Sequence, residues 1–358
     1  MTAPRLLLDA RMVGPQVHGI ARYVVCLARA LKRVAPDWRP ALLLARNAPP
    51  ELRDEFTHAV SPVPFLHPAE PATLPAVVER LRMPLFHATS FACSPLLRKP
   101  FVITLHDAIH LERRGDYGLA QAAYYQLVVR PAALRADAVI TVSHDARQKL
   151  TDHLGLPSER IQVIHNGVEL EQFGQPSDAP RHGPVLTVTG PKPHKNLVTL
   201  LHALRHAPSL VLEVAGRPQD GLEQVATGLG LGERVRFLGP VDQPTLMQKL
   251  AEASAVAVPS LTEGFGLPAL EGMAAGCPVV LSDIAVFHEV AGDCAVYAPP
   301  LDPLAWAQAL TSLLGDPSRC RELSRAGRER AEQFTWDRTA TQTAQVYDAV
   351  IQRRSPFS

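Results

Sequence analysis

Short, almost wholly apolar runs alternate with longer stretches in which apolar residues recur every three or four positions, and the alternation continues along most of the chain. An apolar run bounded by turn formers suits a strand covered on both faces, and the helical spacing between runs suits the helices that cover it. This order predicts an α/β protein with parallel sheets. A first series of strands is expected at 5–9, 41–44, 101–105, 138–142 and 161–164, and a second at 185–188, 210–214, 235–238, 254–258, 278–281 and 294–297. Between the series, residues 169–184 are rich in Pro, Gly, Asp and Gln and read as a linker. The expected division is an N-terminal domain over 1–168, the linker 169–184 and a C-terminal domain over 185–336. A last helix is expected from Trp336 to about residue 352, capped by Thr335, with Ala340, Ala344, Tyr347 and Ile351 as one apolar stripe.

The most informative stretch is Pro259-Ser-Leu-Thr-Glu263-Gly264-Phe265-Gly266-Leu267-Pro268-Ala-Leu-Glu271. It follows the strand at 254–258 and leads into a helix, with Pro268 suited to the first helical position, where its missing N–H costs nothing. Open α/β sheets bind ligands at the carboxyl ends of strands, and a helix N-terminus there offers N–H groups and partial positive charge to a phosphate. Gly264 and Gly266 let backbone approach such an anion, while Glu263 and Glu271 flank it with acceptors for hydroxyl groups. A diphosphate between ribose and a hexose fits that layout. The turn Gly190-Pro-Lys192-Pro-His194-Lys195-Asn196 would add cations; taken alone, Lys195 is a surface lysine. The strand at 101–105 ends in His106-Asp107, and the next ends in Ser143-His144. A second pattern overlaps the first: Gly264-x-Gly266-x-x-Ala269, with Asp283 at the end of a later strand, also fits the turn of an NAD-dependent oxidoreductase. A non-catalytic sugar-nucleotide-binding protein is a third reading.

The run from Glu263 through Glu271-Gly-Met-Ala-Ala-Gly276-Cys-Pro278-Val-Val resembles the signature of glycosyltransferase family 4, retaining enzymes of the GT-B fold. Agreement extends to Ser282-Asp283, Glu289-Val-Ala-Gly-Asp293, Ile164-His-Asn166-Gly167-Val, His194-Lys195-Asn196-Leu, Asp9-Ala-Arg11 and Gly19-Ile-Ala-Arg22-Tyr23. The resemblance implies two Rossmann-like domains facing across a cleft, with the terminal helix, about 337–358, packing back on the first. It implies that Glu263 approaches the donor sugar, that Glu271 holds the nucleotide ribose and that Lys195 contacts the diphosphate. The family arginine after the glycine is Pro191 here, which leaves Lys192 as its replacement. His106 matches the histidine that faces the donor sugar. Gly19 opens a helix near the diphosphate, although the usual double glycine is His18-Gly19 here. Gly264, Phe265, Gly266, Leu267 and Asn166 complete the implied donor set, with Val241 in the 239–242 turn near the base. The N-terminal pieces look most like bacterial mannosyltransferases of O-antigen and other surface polysaccharides. The implied reaction moves a hexose, mannose from GDP-mannose as the best choice, to a saccharide or lipid-linked acceptor.

Composition narrows the partners. In 358 residues there are 46% hydrophobic and 20% charged side chains, the proportions of a soluble globular protein with room for two domains. A net charge of +1 argues against a nucleic-acid partner. Five cysteines with no CxxC pair read as thiols of a reducing compartment, and no apolar run approaches the roughly 18 residues of a membrane span, so a cytoplasmic protein is expected. No two aspartates stand two residues apart, so neither metal nor cofactor is expected. The basic residues Arg22, Arg29, Lys32 and Arg33, and the apolar stretch 117–135, read first as a solvated face and second as a peripheral contact with the inner membrane.

Overall fold

A computed structural model describes residues 5–14, 19–98, 100–174 and 181–354. The chain forms two compact units, Met1–Gly167 with Trp336–Ser358, and Val168–Thr335. Apolar runs in the first unit become the strands β1 (Leu6–Ala10), β2 (Pro40–Leu44), β3 (His58–Val60), β4 (Leu85–Ala88), β5 (Phe101–Thr104), β6 (Ala138–Thr141) and β7 (Ile161–Val163). They pair in parallel in the order β3-β2-β1-β4-β5-β6-β7. The second unit holds β8 (Val185–Val188), β9 (Leu212–Ala215), β10 (Val235–Gly239), β11 (Ala255–Val258), β12 (Val279–Ser282) and β13 (Val296–Ala298), parallel in the order β10-β9-β8-β11-β12-β13. Five helices matter below: α1 (Gly19–Val34), α2 (Leu197–Ala203), α3 (Leu267–Ala274), α4 (Ala285–Ala291) and α5 (Trp336–Arg354).

Both sheets are doubly wound. The chain fills one side of the first strand, then returns to its other side, which leaves a switch point between β1 and β4 and another between β8 and β11. Interior strands such as β1, β6 and β11 are buried along their whole length, whereas the edge strand β3 alternates exposed and half-buried residues. Two strands lie outside the expected series. β3 is a three-residue edge, and β4 carries His87 in an otherwise apolar centre.

Helix α5 lies in the first unit, where Trp336, Ala340, Ala344, Val346, Tyr347 and Val350 share one apolar cluster with Val24, Leu27 and Leu31 of α1. Ile351, expected in the stripe, is only partly buried. Residues 355–358 of the expected helix lie outside the described residues.

Part of the expected linker falls within the second unit. The unit boundary falls at Gly167/Val168, so 169–174 and 181–184 belong to the second unit, and 175–180 lie outside the described residues. Arg181 anchors its end: its guanidinium donates to the carbonyls of Leu250, Ala251 and Ala253 at 3.1, 2.8 and 3.1 Å and of Ala275 at 2.7 Å. Of the basic residues of α1, Arg22 is half-buried and Arg29, Lys32 and Arg33 are exposed and bonded within the unit. Arg29 pairs with Glu55 at 2.8 Å, Lys32 donates to the Glu55 carbonyl at 2.9 Å, and Arg33 pairs with Asp337. Among the described residues no helix is long and apolar enough to cross a membrane.

Candidate active site

The switch point of the second sheet is where the expected chemistry gathers. Beyond β8 the chain turns through Pro193–Lys195 into α2, and beyond β11 it runs through Glu263 into α3. Backbone joins the two turns: the Leu261 N–H donates to the His194 carbonyl at 2.8 Å. Across this junction Lys195 Nζ donates to Glu263 Oε1 at 2.6 Å, and Ser260 Oγ donates to the same oxygen at 2.7 Å. Burial pushes the Glu263 carboxyl up, but the charge and hydrogen bond of Lys195, the charge of His194 and the Ser260 bond outweigh it and hold the carboxyl below its ordinary range. Glu263 is therefore an anion at neutral pH, able to accept hydrogen bonds and unsuited to act as an acid.

Two residues to which the sequence assigned no role shape these turns. Asn196 adopts φ +53°, in the left-handed region that asparagine tolerates better than most residues. Its Nδ2 donates to the Pro259 carbonyl at 2.9 Å and to the Pro300 carbonyl at 2.7 Å, so one side chain joins the loops after β11 and β13 beside Lys195. The other is Gly216 after β9, with φ +96°, where an added Cβ would lie 2.2 Å from the Thr189 carbonyl oxygen. Ser260 lay within the quoted motif, but nothing in its spacing marked its hydroxyl as a donor to Glu263.

Helix α3 begins at Leu267, so Pro268 takes the second helical position rather than the first; both lack an intrahelical partner for the N–H. Gly266 precedes it at φ +94°, and no side chain caps the helix. Gly264, Phe265 and Gly266 are buried and Leu267 is half-buried. Glu271, 4% exposed, stands inside α3. Lys192 is exposed at the head of its turn. Val241 is half-buried after β10; its neighbour Asp242 caps the next helix by accepting from the Thr245 N–H at 2.9 Å. Asp283, the acid of the oxidoreductase pattern, is exposed and bonded to His288 at 2.7 Å.

The remaining expected residues belong to the first unit. His106, just beyond β5, donates from Nε2 to the Thr89 carbonyl at 2.9 Å, so Nε2 carries a proton. Its ring meets the edge of Tyr23, centroids 4.7 Å apart at 84°. Asn166 is 4% exposed, and among the described residues its Oδ1 has no hydrogen-bond partner. Gly19 is the exposed first residue of α1, while His18 and the rest of 15–18 lie outside the described residues. Beneath the switch point of this sheet, Arg11 pairs with Asp9 at 2.6 Å and Glu70 at 3.0 Å, all three buried.

Comparison with known proteins agrees with this architecture. The family model described as Glycosyltransferase Family 4 matches residues 17–172, and that described as Glycosyl transferases group 1 matches 182–330. The O-antigen chain mannosyltransferase RfbU of Salmonella typhimurium is 32% identical over 224 residues, 61% of this chain and 62% of that protein. The MMP alpha-(1->4)-mannosyltransferase of Mycolicibacterium hassiacum is 30% identical over 272 residues, 71% of this chain and 66% of that protein. The matches thus span less than two thirds of either relative's length. Among solved structures, the sucrose-phosphate synthase of Thermosynechococcus elongatus superposes with a TM-score of 0.81 at 23% identity, covering 98% of this chain and 100% of that one. Anabaena HepE, solved with UDP and glucose, gives 0.78 at 21% identity over 97% and 100%. These likenesses carry the GT-B fold. Between them the two family models take in most of the sequence, and the chain belongs to the family 4 glycosyltransferases.

Proposed function

We propose that this protein is a retaining, metal-independent glycosyltransferase that moves a hexose, mannose from GDP-mannose as first choice, to a saccharide or lipid-linked acceptor of surface polysaccharide assembly. The observation that carries the reading is the Lys195–Glu263 pair, 2.6 Å apart at the switch point between β8 and β11, beside the uncapped start of α3. A cation and a helix N-terminus suit a diphosphate, and fixed dipoles and charges stabilise the negative charge a leaving diphosphate gains as the anomeric bond breaks. Donor binding would draw Lys195 Nζ from Glu263 to a phosphate oxygen, and the freed carboxylate would accept from sugar hydroxyls. Glu271 is assigned to the ribose, and Lys192, Gly264, Phe265, Gly266, Leu267 and Val241 to the rest of the donor. His106, Gly19 and Asn166 are assigned on the resemblance alone. No protein nucleophile is assigned; the acceptor hydroxyl attacks from the leaving-group face and passes its proton to the departing phosphate. The two mannosyltransferase relatives support the choice of mannose.

Melting curves with GDP, UDP, ADP and NAD, followed by transfer assays with the matching sugar nucleotides, test the proposal. GDP is expected to raise the melting temperature and GDP-mannose to turn over, with Glu263→Gln slowing transfer by about a hundredfold or more. Binding of NAD without any nucleoside diphosphate overturns the reading, and full transfer by Glu263→Gln removes the role given to that carboxylate.

A further inference from the structure

The core of the first unit contains a run of polar side chains that an ordinary sheet interior would not need. The Tyr347 hydroxyl lies 2.6 Å from His87 Nδ1, His87 Nε2 lies 2.8 Å from Thr104 Oγ1, and Thr104 Oγ1 lies 3.1 Å from the Tyr23 hydroxyl. His87, Thr104 and Tyr347 are 0% exposed and Tyr23 is 1% exposed. These contacts link α5, β4, β5 and α1 in turn. At the far end, the ring of Tyr23 abuts His106 edge-on.

Burying four polar side chains between packed strands and helices is unfavourable unless each bond is made, so a fully bonded run is rigid. His87 is neutral, since its burial and the nearby His106 bring its pKa down to about 3. A neutral imidazole has one donor and one acceptor, so the bonds on its two sides point the same way along the run. The orientation of the Tyr347 hydroxyl therefore sets that of Thr104, and Thr104 in turn holds Tyr23. His106 is gripped at two points: Nε2 is tied to the Thr89 carbonyl, and the face or edge it presents is fixed by Tyr23.

We propose that Tyr347, His87, Thr104 and Tyr23 form a positioning chain that sets the His106 ring, so that the geometry of this histidine depends on how α5 is seated. The inference rests on the assignment of His106 to the site. Tyr23 and its partners touch no substrate in this scheme; they act through His106.

The full-length protein, labelled with nitrogen-15 at histidine, provides a readout independent of turnover. Thr104→Val and Tyr347→Phe are expected to move the His106 ring resonances, whereas Thr104→Ser, which keeps the hydroxyl, restores them. Release of GDP from GDP-mannose is expected to slow by about threefold to tenfold in kcat with KM changed by less than about twofold. In a His106→Ala background the same substitutions should have no further effect on kcat. Unmoved His106 resonances in both Thr104→Val and Tyr347→Phe overturn the proposal, as do losses that multiply with His106→Ala. Should Tyr347→Phe fail to fold, Tyr23→Phe, which keeps the ring and removes only the hydroxyl, takes its place. Wild-type transfer by His106→Ala would instead remove the assignment of His106, while the resonances still report whether the chain sets the ring.

Discussion

Asn196 illustrates how one residue outside the recognised chemistry governs a residue inside it. Its φ of +53° and its bonds to the carbonyls after β11 and β13 fix the turn that aims Lys195 at Glu263. Asn196→Gly keeps the backbone conformation and loses the bonds; Asn196→Ala loses the bonds and strains the backbone. The expected losses of stability are about 1–2 kcal/mol for glycine and about 2–4 kcal/mol for alanine, measured by urea denaturation at neutral pH. Both variants should bind nucleoside diphosphate less tightly; unchanged binding by Asn196→Gly would separate the turn from the site. His87 gives a second prediction at this scale. Its folded-state pKa of about 3 lies below the unfolded value, so the unfolded chain takes up the proton first. Stability is thus intact above about pH 6.5 and falls by about 1.4 kcal/mol for each unit below it, until pH nears the folded value. His87→Gln, less stable at neutral pH, should lose that slope between pH 6.5 and 4.5. Glu263 shifts the same way, its contribution retained above its unfolded carboxyl pKa and lost as pH falls through its lower folded value, so its loss begins at a lower pH than that of His87.

At the scale of elements, the strands that could be read from the sequence are mainly apolar runs, although β1, β7, β9 and β10 each carry a polar or charged residue, Asp9, Gln162, Glu213 and Arg236. β4 escaped although it lies in the middle of its sheet, because Leu85-Phe86-His87-Ala88 contains a histidine whose burial only becomes reasonable once Tyr347 and Thr104 are seen beside it. β3 escaped for the reverse reason: His58-Ala59-Val60 is too short for a period and lies on an exposed edge. β9 and β13 each begin two residues later than expected, since the apolar runs continue into the turns that feed them. The start of α3 was legible from its glycines, and the structure adds the reason for one of them. A Cβ on Gly266 would lie 2.6 Å from the ring of Phe287 in α4, itself 0% exposed, besides requiring φ +94°. Gly266→Ala is expected to cost about 2–4 kcal/mol in chemical denaturation and to weaken diphosphate binding; retention of both would mean α3 can shift its first turn. The carboxyl end of β1 makes a contrasting case. Removing Arg11 leaves Asp9 and Glu70 facing each other unneutralised, so Arg11→Met should cost about 3–5 kcal/mol. Glu70→Gln leaves the Asp9–Arg11 pair balanced, and burial already raises the Glu70 pKa, so its cost should be about 1 kcal/mol. Equal losses in thermal or urea unfolding would refute this charge balance.

At the scale of the molecule, Glu263, Glu271 and Lys195 are singled out by the sequence because each sits in a compact local motif, but the switch point at which the structure joins Lys195 and Glu263 is not legible there. Strand order depends on crossovers, and the bonds of Asn196 join positions separated by 63 and 104 residues. The two-unit division has a thermodynamic consequence of its own. The chain passes between units at Gly167/Val168 and at Thr335/Trp336, and Lys195, Glu263 and Glu271 all belong to the second unit. A ligand that binds only the folded form stabilises the unit holding its contacts, by about 2.7 kcal/mol at a hundred times its dissociation constant. For a unit of this size that corresponds to roughly 5–10 °C. Scanning calorimetry with saturating GDP is therefore expected to raise the transition of the second unit by that amount, and Lys195→Ala to reduce the rise to under about 2 °C. Movement of both transitions together would show that the first unit also holds the nucleotide, through residues such as Gly19. A rise that survives Lys195→Ala undiminished would take the diphosphate away from the β8–β11 junction, and with it the reason for the ion pair that Lys195 makes with Glu263.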